Sequence, residues 1–219
     1  MNMRKELMIC TIAILFSSLS GTGILKAQNT QAIADSNILA MKEGVLLVRL
    51  VRHTAKIEQL KKMKQKDQAK KIEKDDAKKN EKVMEAFAEH FDFCPVYFFY
   101  SDYSIEVKNK DFGNHIMTAD NNPVDAEKIA SGPIYTAEYG FIRNDTGTER
   151  ARGIRIMDDQ LDQLSHPFPY GIIADYVLWK RSESSLVRSI NGRLHNFYNG
   201  AANRKLKSEF KQKLKNQKS

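Results

Sequence analysis

Eight residues, GVLLVRLV from Gly44 to Val51, decide how this chain is read. The segment is a branched-aliphatic run of strand length, opened by glycine and broken by one charge at Arg49. A strand with one wet face alternates apolar and polar residues; an unbroken run belongs to a strand covered on both faces. Such strands sit in parallel sheets, and parallel neighbours need a long crossover between them.

The following residues supply that crossover. From Thr54 to Phe91 there is neither proline nor glycine, and helix formers dominate. Between Lys56 and Lys82 eleven lysines and six acids leave apolar residues too sparse for a coiled-coil seam, so the lysine run reads as a solvated helix face. The apolar stripe sharpens at Val83, Met84, Phe87, Ala88 and Phe91. As one rod the segment would reach about 55 Å at ~1.5 Å per residue, longer than a domain of this size. Either its charged middle projects into solvent, or it breaks near Lys66-Asp67 or Asp75-Asp76.

FDFCPVYFFYSDY, Phe91 to Tyr103, closes the crossover. Pro95 pushes its predecessor out of helical geometry, and Val96 to Tyr100 is a strand by composition. Strand, helix and strand then form a right-handed parallel unit.

Beyond Ser101 the texture turns antiparallel. Alternation in SIEVKNKDF predicts a half-exposed strand over Ser104 to Lys108. HIMT (115–118) and PIYTAEYGFIRN (133–144) read as short β pieces, the second bending at Tyr139-Gly140. A helical turn is expected near Asp125 to Ala130, a charged turn over NDTGTERARG, and a strand at GIRIMDDQ. QLSHPFPYGI reads as an ordered loop with aromatic anchors, and Gly171 to Trp179 as a strand. Ser185 to Phe197 and the basic segment 203–218 read as two helices, and Gln28 to Glu43 as a lead-in with one helical turn at Asn37 to Lys42. The expected fold is α/β or α+β: a single domain with a mixed central sheet, one long charged helix in a β-α-β crossover, and C-terminal helices.

The N-terminus carries a basic start (MNMRKE), an apolar middle and a small residue at Ala27, the order of a secretory leader over residues 1–27. The remaining 28–219 would be one exported domain. The alternative is an uncleaved anchor over Leu7 to Leu25. Cleavage removes three cations and one carboxylate, lowering the formal charge from +8 to +6. Cys10 leaves too, so Cys94 stands alone and neither an internal disulfide nor dithiol redox chemistry is available.

No nucleotide-binding loop, serine elbow or metal-binding spacing occurs, and no cofactor or metal is expected. The aromatic flanks of Cys94 favour an inert core thiol over a nucleophile. Asp158, with Asp159 and Asp162, follows a strand and reads as a helix N-cap or as part of a site. His166-Pro167-Phe168-Pro169-Tyr170 is the most unusual local feature. It is either a rigid aromatic ledge for a sugar or peptide, or a plug in the core.

Two functions follow as expectations. The first is a non-enzymatic binding or structural module of the periplasm or cell envelope. It would meet an anionic envelope surface or a protein partner, contact membrane peripherally through its C-terminal basic helix, and bind no nucleic acid. The second is a hydrolase or transferase whose site gathers His166, Asp158 and His195 near the HPFPY loop, with Phe168 and Tyr170 as binding residues.

Overall fold

The computed structural model describes residues 29–143, 149–176 and 179–217. The expected leader, 1–27, lies outside them. Five strands form the main sheet in the order β2-β1-β3-β4-β5. These are β1 (Val45–Leu50), β2 (Val96–Tyr100), β3 (Ile134–Arg143), β4 (Glu149–Met157) and β5 (Gly171–Ile173). β1 lies parallel to both β2 and β3, while β4 and β5 continue antiparallel. The sheet is mixed, as the sequence predicts. A two-stranded ribbon, β6 (Asp175–Tyr176) with β7 (Trp179–Lys180), lies outside it.

β1 is covered on both faces. Leu46, Val48 and Leu50 join the core built from residues 29–43 (α1), α3 (Lys66–His90) and α6 (Glu183–Asn216). Val45 and Leu47 join a smaller cluster with Val107 of α4 (Ser104–Lys108) and Ile129 of α5 (Ala126–Ala130). Arg49 shares that second face and meets a buried carboxylate there. Its Nη1 donates to Glu138 Oε2 at 2.6 Å, and Arg155 Nε donates to Oε1 at 2.8 Å. Two guanidiniums compensate one desolvated carboxylate, the condition under which a buried charge is tolerated.

The crossover helix breaks, and it does so at Met63–Gln65, close to one of the two expected places. α2 (Thr54–Lys62) ends, Lys64 takes a left-handed φ of 60°, and α3 begins. Lys61 bonds Glu73 across the hairpin at 2.7 Å. Phe87 and Phe91, 5.6 Å apart, carry the apolar end of α3 into the core.

Four expectations are corrected. Ser104–Lys108 is a helix, not a strand: over five residues an apolar pair at Ile105 and Val107 cannot separate a two-residue from a 3.6-residue period. Tertiary contacts decide, because Val107 is buried while Ile105 faces solvent. The Ser104 hydroxyl also accepts from Arg49 Nε at 2.8 Å. β3 runs through Tyr139-Gly140 without a bend, since its ladder with β4 continues past both residues and shifts only at Ile142/Arg143.

The two C-terminal helices are one, α6. Gly192 has nothing within 4 Å of the place its Cβ would take, so it costs the helix only intrinsic propensity. Burial of Leu186, Val187, Ile190, Leu194 and Ala201 along the same helix outweighs that cost. Residues 29–43 are helical throughout, not for one turn, because Ala34, Ile38 and Met41 recur at helical spacing and fill the core. The turn expected over NDTGTERARG lies partly outside the described residues, at 144–148, and its remainder belongs to β4.

Candidate functional site

The HPFPY loop enters through a cis His166–Pro167 peptide and drives Phe168 into the core, where 2% of it is exposed. Its ring meets Phe197 edge-on at 6.1 Å. Phe168 is therefore a plug between sheet and α6. Tyr170 packs half-buried beside it, and His166 is exposed. Asp158 caps no helix: its Oδ1 accepts the backbone N–H of Gln160 and of Asp162, both at 2.9 Å, closing a tight turn. Asp158 and Phe168 do share one small cleft under α1, with Asn37, Gln163 and Leu164. His166 and His195 do not line it. His195 sits on α6, where its Nε2 lies 2.8 Å from Asp92 Oδ1 and its ring meets Phe93 edge-on.

The other histidines are engaged separately. His53 pairs with Asp76, His90 lies by Glu89 and Arg188, and His115 stacks on Tyr103 at 3.9 Å. Among the described residues no group of three or more His, Cys, Asp or Glu side chains is placed to hold a metal.

Cys94 is 8% exposed and unbridged. Burial pushes its thiol up to about 12, against the weaker opposing pull of the Lys42 ammonium. A thiol held that far above neutrality supplies almost no thiolate, the species a nucleophile needs.

In open α/β sheets ligands gather outside the carboxyl ends of parallel strands. Here those ends are knit together. Arg52 lies over the Tyr100 ring at 3.6 Å, and its N–H donates to Ser101 Oγ at 2.9 Å. Thr54 Oγ1 donates to Asp102 at 2.8 Å, and Asp76 accepts the His53 N–H at 3.0 Å. Asn80 of α3 completes the arrangement: its Oδ1 accepts the Val51 N–H at 3.1 Å and its Nδ2 donates to the Val51 carbonyl at 2.8 Å. Two grooves flank this junction and share Ala77, Asn80 and Tyr100 as floor. Their walls mix Lys74 and Lys61 with Glu81, Glu85 and Glu58, so no single charge class is selected. Sequence reasoning missed these pairings because nothing local marks residues that meet from 23, 29 or 48 positions apart.

The most distinctive surface is the outer half of α6. Residues 203–217 are exposed throughout, a helical stretch of about 20 Å at ~1.5 Å per residue. Leu206, Phe210 and Leu214 are 62%, 64% and 42% exposed. Their four-residue spacing puts them on one stripe. Ala201, Arg204 and Ser208, which face α1, lie on the opposite side of the helix. From Asn203 to the end there are seven lysines or arginines and one glutamate. Among the described residues no helix is long and apolar enough to cross a membrane.

α1 runs antiparallel to α6. Lys42, near its end, donates to the Phe93 carbonyl at 2.5 Å and lies over the Phe93 ring, which meets Tyr198 edge-on. Asp35, two turns earlier, meets Arg204. The start of α1 and the free end of α6 therefore point to one pole of the domain. No protein-family model, curated protein or solved structure matches the chain.

Proposed function

We propose that the chain is an exported, non-enzymatic binding module that rests on an anionic surface of the cell envelope through the outer half of α6. The observation that carries this reading is the exposed Leu206–Phe210–Leu214 stripe inside a strongly cationic helix end. An amphipathic helix with a basic face lies in the interface of an anionic bilayer. Near such a surface each cation contributes about 1 kcal/mol, and each large apolar side chain taken out of water adds roughly 1.5–3 kcal/mol. A second copy of the chain is a poorer occupant, because two arms of this charge repel each other. The hydrolase or transferase reading lacks comparable support: Asp158 lines the cleft under α1, and neither His166 nor His195 joins it.

The test is sedimentation with phosphatidylcholine vesicles, with and without phosphatidylglycerol. The protein is expected to follow only the anionic vesicles and to release at high salt. Replacing Leu206, Phe210 and Leu214 by serine, or stopping the chain after Lys205, should abolish binding while leaving the thermal unfolding of the body in place. Stopping there keeps Arg204 and its bond to Asp35. Binding unchanged in both variants, or a parent that ignores anionic vesicles and self-associates through the arm, would overturn the proposal.

A further inference from the structure

β3 and β4 run on beyond the end of β1. The last β1 residue paired with β3 is Arg49, opposite Glu138, whereas the β3–β4 ladder continues to Arg143. Past Glu138 β1 no longer pairs with β3, although β5 still flanks β4 at Ile154 and Gly153, and α3 lies over the helix-facing side of the ribbon there. Asp75, Lys78, Lys79 and Lys82 recur along α3 at spacings of three and four, which places them on one stripe. That stripe and Tyr139 and Arg152 of the ribbon enclose a cleft of about 310 Å³, with Glu183 of α6 at its edge.

The cations here are arranged in an uncommon way. The Lys79 ammonium lies 4.3 Å above the Tyr139 ring, and the Arg152 guanidinium 5.0 Å above Phe141, which is itself 42% exposed. Tyr139 and Phe141 share one face of β3, and Arg152 is the register partner of Phe141. Lys78, Lys82 and Arg152 form no ion pair among the described residues, although Asp75 and Glu183 line the same cleft. Elsewhere on the surface cations do find carboxylates, as in Lys61–Glu73 and Lys110–Asp159. Three like charges facing one concavity repel, and low-dielectric walls focus their field onto whatever enters. A multiply charged oxyanion relieves the repulsion, and an arginine fork can meet two of its oxygens at once.

We infer that this cleft binds a small ligand carrying such a charge, as a phosphate or as a pair of carboxylates, on a group no larger than one or two sugar rings. The cleft volume lies at the lower end of the range for small-molecule sites. The cleft lies at the first turn of α6 and the free arm at its last. At ~1.5 Å per residue those ends are about 50 Å apart, so the two surfaces can be altered independently.

The experiment is a titration of isotope-labelled protein, at fixed ionic strength, with pyrophosphate in one arm and digalacturonate in the other. Saturable binding of at least one probe is expected, with amide shifts confined to residues 75–82 of α3 and the β3–β4 ribbon around Arg152. The triple variant Lys78→Gln, Lys82→Gln, Arg152→Gln should weaken binding tenfold or more. The equal-charge control Lys66→Gln, Lys70→Gln, Lys71→Gln, on exposed positions of the same helix, should stay within twofold of the parent. The better-bound probe identifies the anion as phosphate or carboxylate. No saturable binding of either probe, shifts spread along all of α3, or a control that loses as much as the cleft variant would each overturn the site. The cleft variant should still bind anionic vesicles, so failure here is distinct from failure of the membrane-surface reading.

Discussion

Asp35 and Arg204, 169 residues apart, meet through two parallel hydrogen bonds: Arg204 Nε to Oδ2 at 2.7 Å and Nη2 to Oδ1 at 2.6 Å. The pair joins α1 to α6 just beyond Ala201, the last buried residue of that helix, where the exposed stretch 203–217 begins.

This pair makes the docking of α1 sensitive to acid. The Arg204 hydrogen bonds hold the Asp35 carboxyl below its ordinary value of 3.8, against an opposing push from burial, with a further bond from Gln31. A carboxyl depressed in the folded state contributes stability above its unfolded value and loses it as pH falls through the folded one. Asp35→Asn should lower stability at pH 7 by about 1 kcal/mol, the scale of a partly exposed bidentate pair. In thermal melts the gap between variant and parent should begin to close as pH drops below 3.8 and vanish once the folded carboxyl is protonated. A gap that persists unchanged in strong acid would show that the charge is not the source.

Asn80 ties α3 to the end of β1 by matching the Val51 N–H and carbonyl with its own amide. Asn80→Ala should cost about 1–3 kcal/mol, the range for leaving buried backbone groups unpaired. Asn80→Asp should cost at least as much, because it sets a carboxylate against the Val51 carbonyl. Urea denaturation of both variants is the check. An aspartate variant as stable as the parent would remove the amide from this role.

Cys94 should be silent toward a polar thiol reagent at pH 8 in the native protein and react fully in denaturant. Burial both hides the sulfur and raises its thiol to about 12. Rapid native labelling would mean that the segment from Phe91 to Val96 opens far more readily than its packing implies.

Much of the fold is legible in the sequence where one segment carries its own evidence. GVLLVRLV and VYFFY are strands because contiguous apolar side chains of strand length must be covered on both sides, and the helical stretch between them forces a parallel pairing. The core end of α3 is legible from Val83, Met84 and Phe87 for the same reason. The short elements are less so. SIEVK satisfies two periodicities at once, and its helix is chosen by Arg49 reaching Ser104 and by Val107 entering the second core. The candidate site residues divide in the same way. Phe168 is recognisable as an anchor within its loop, but whether Asp158, His166 and His195 meet depends on where three separate elements dock.

By itself the sequence determined which segments must be buried, that the sheet is mixed, and that the far end of α6 is cationic with a thin apolar stripe. Those properties follow from side-chain chemistry at short spacing. Only the tertiary structure decided that Ala201 seats α6 on α1 while Leu206, Phe210 and Leu214 are left outward, and that Lys78 and Lys82 face Arg152 across a gap where β1 has ended. The physical reason is that burial is a property of a segment, whereas pairing is a property of two segments. Their meeting is set by the packing of the whole core.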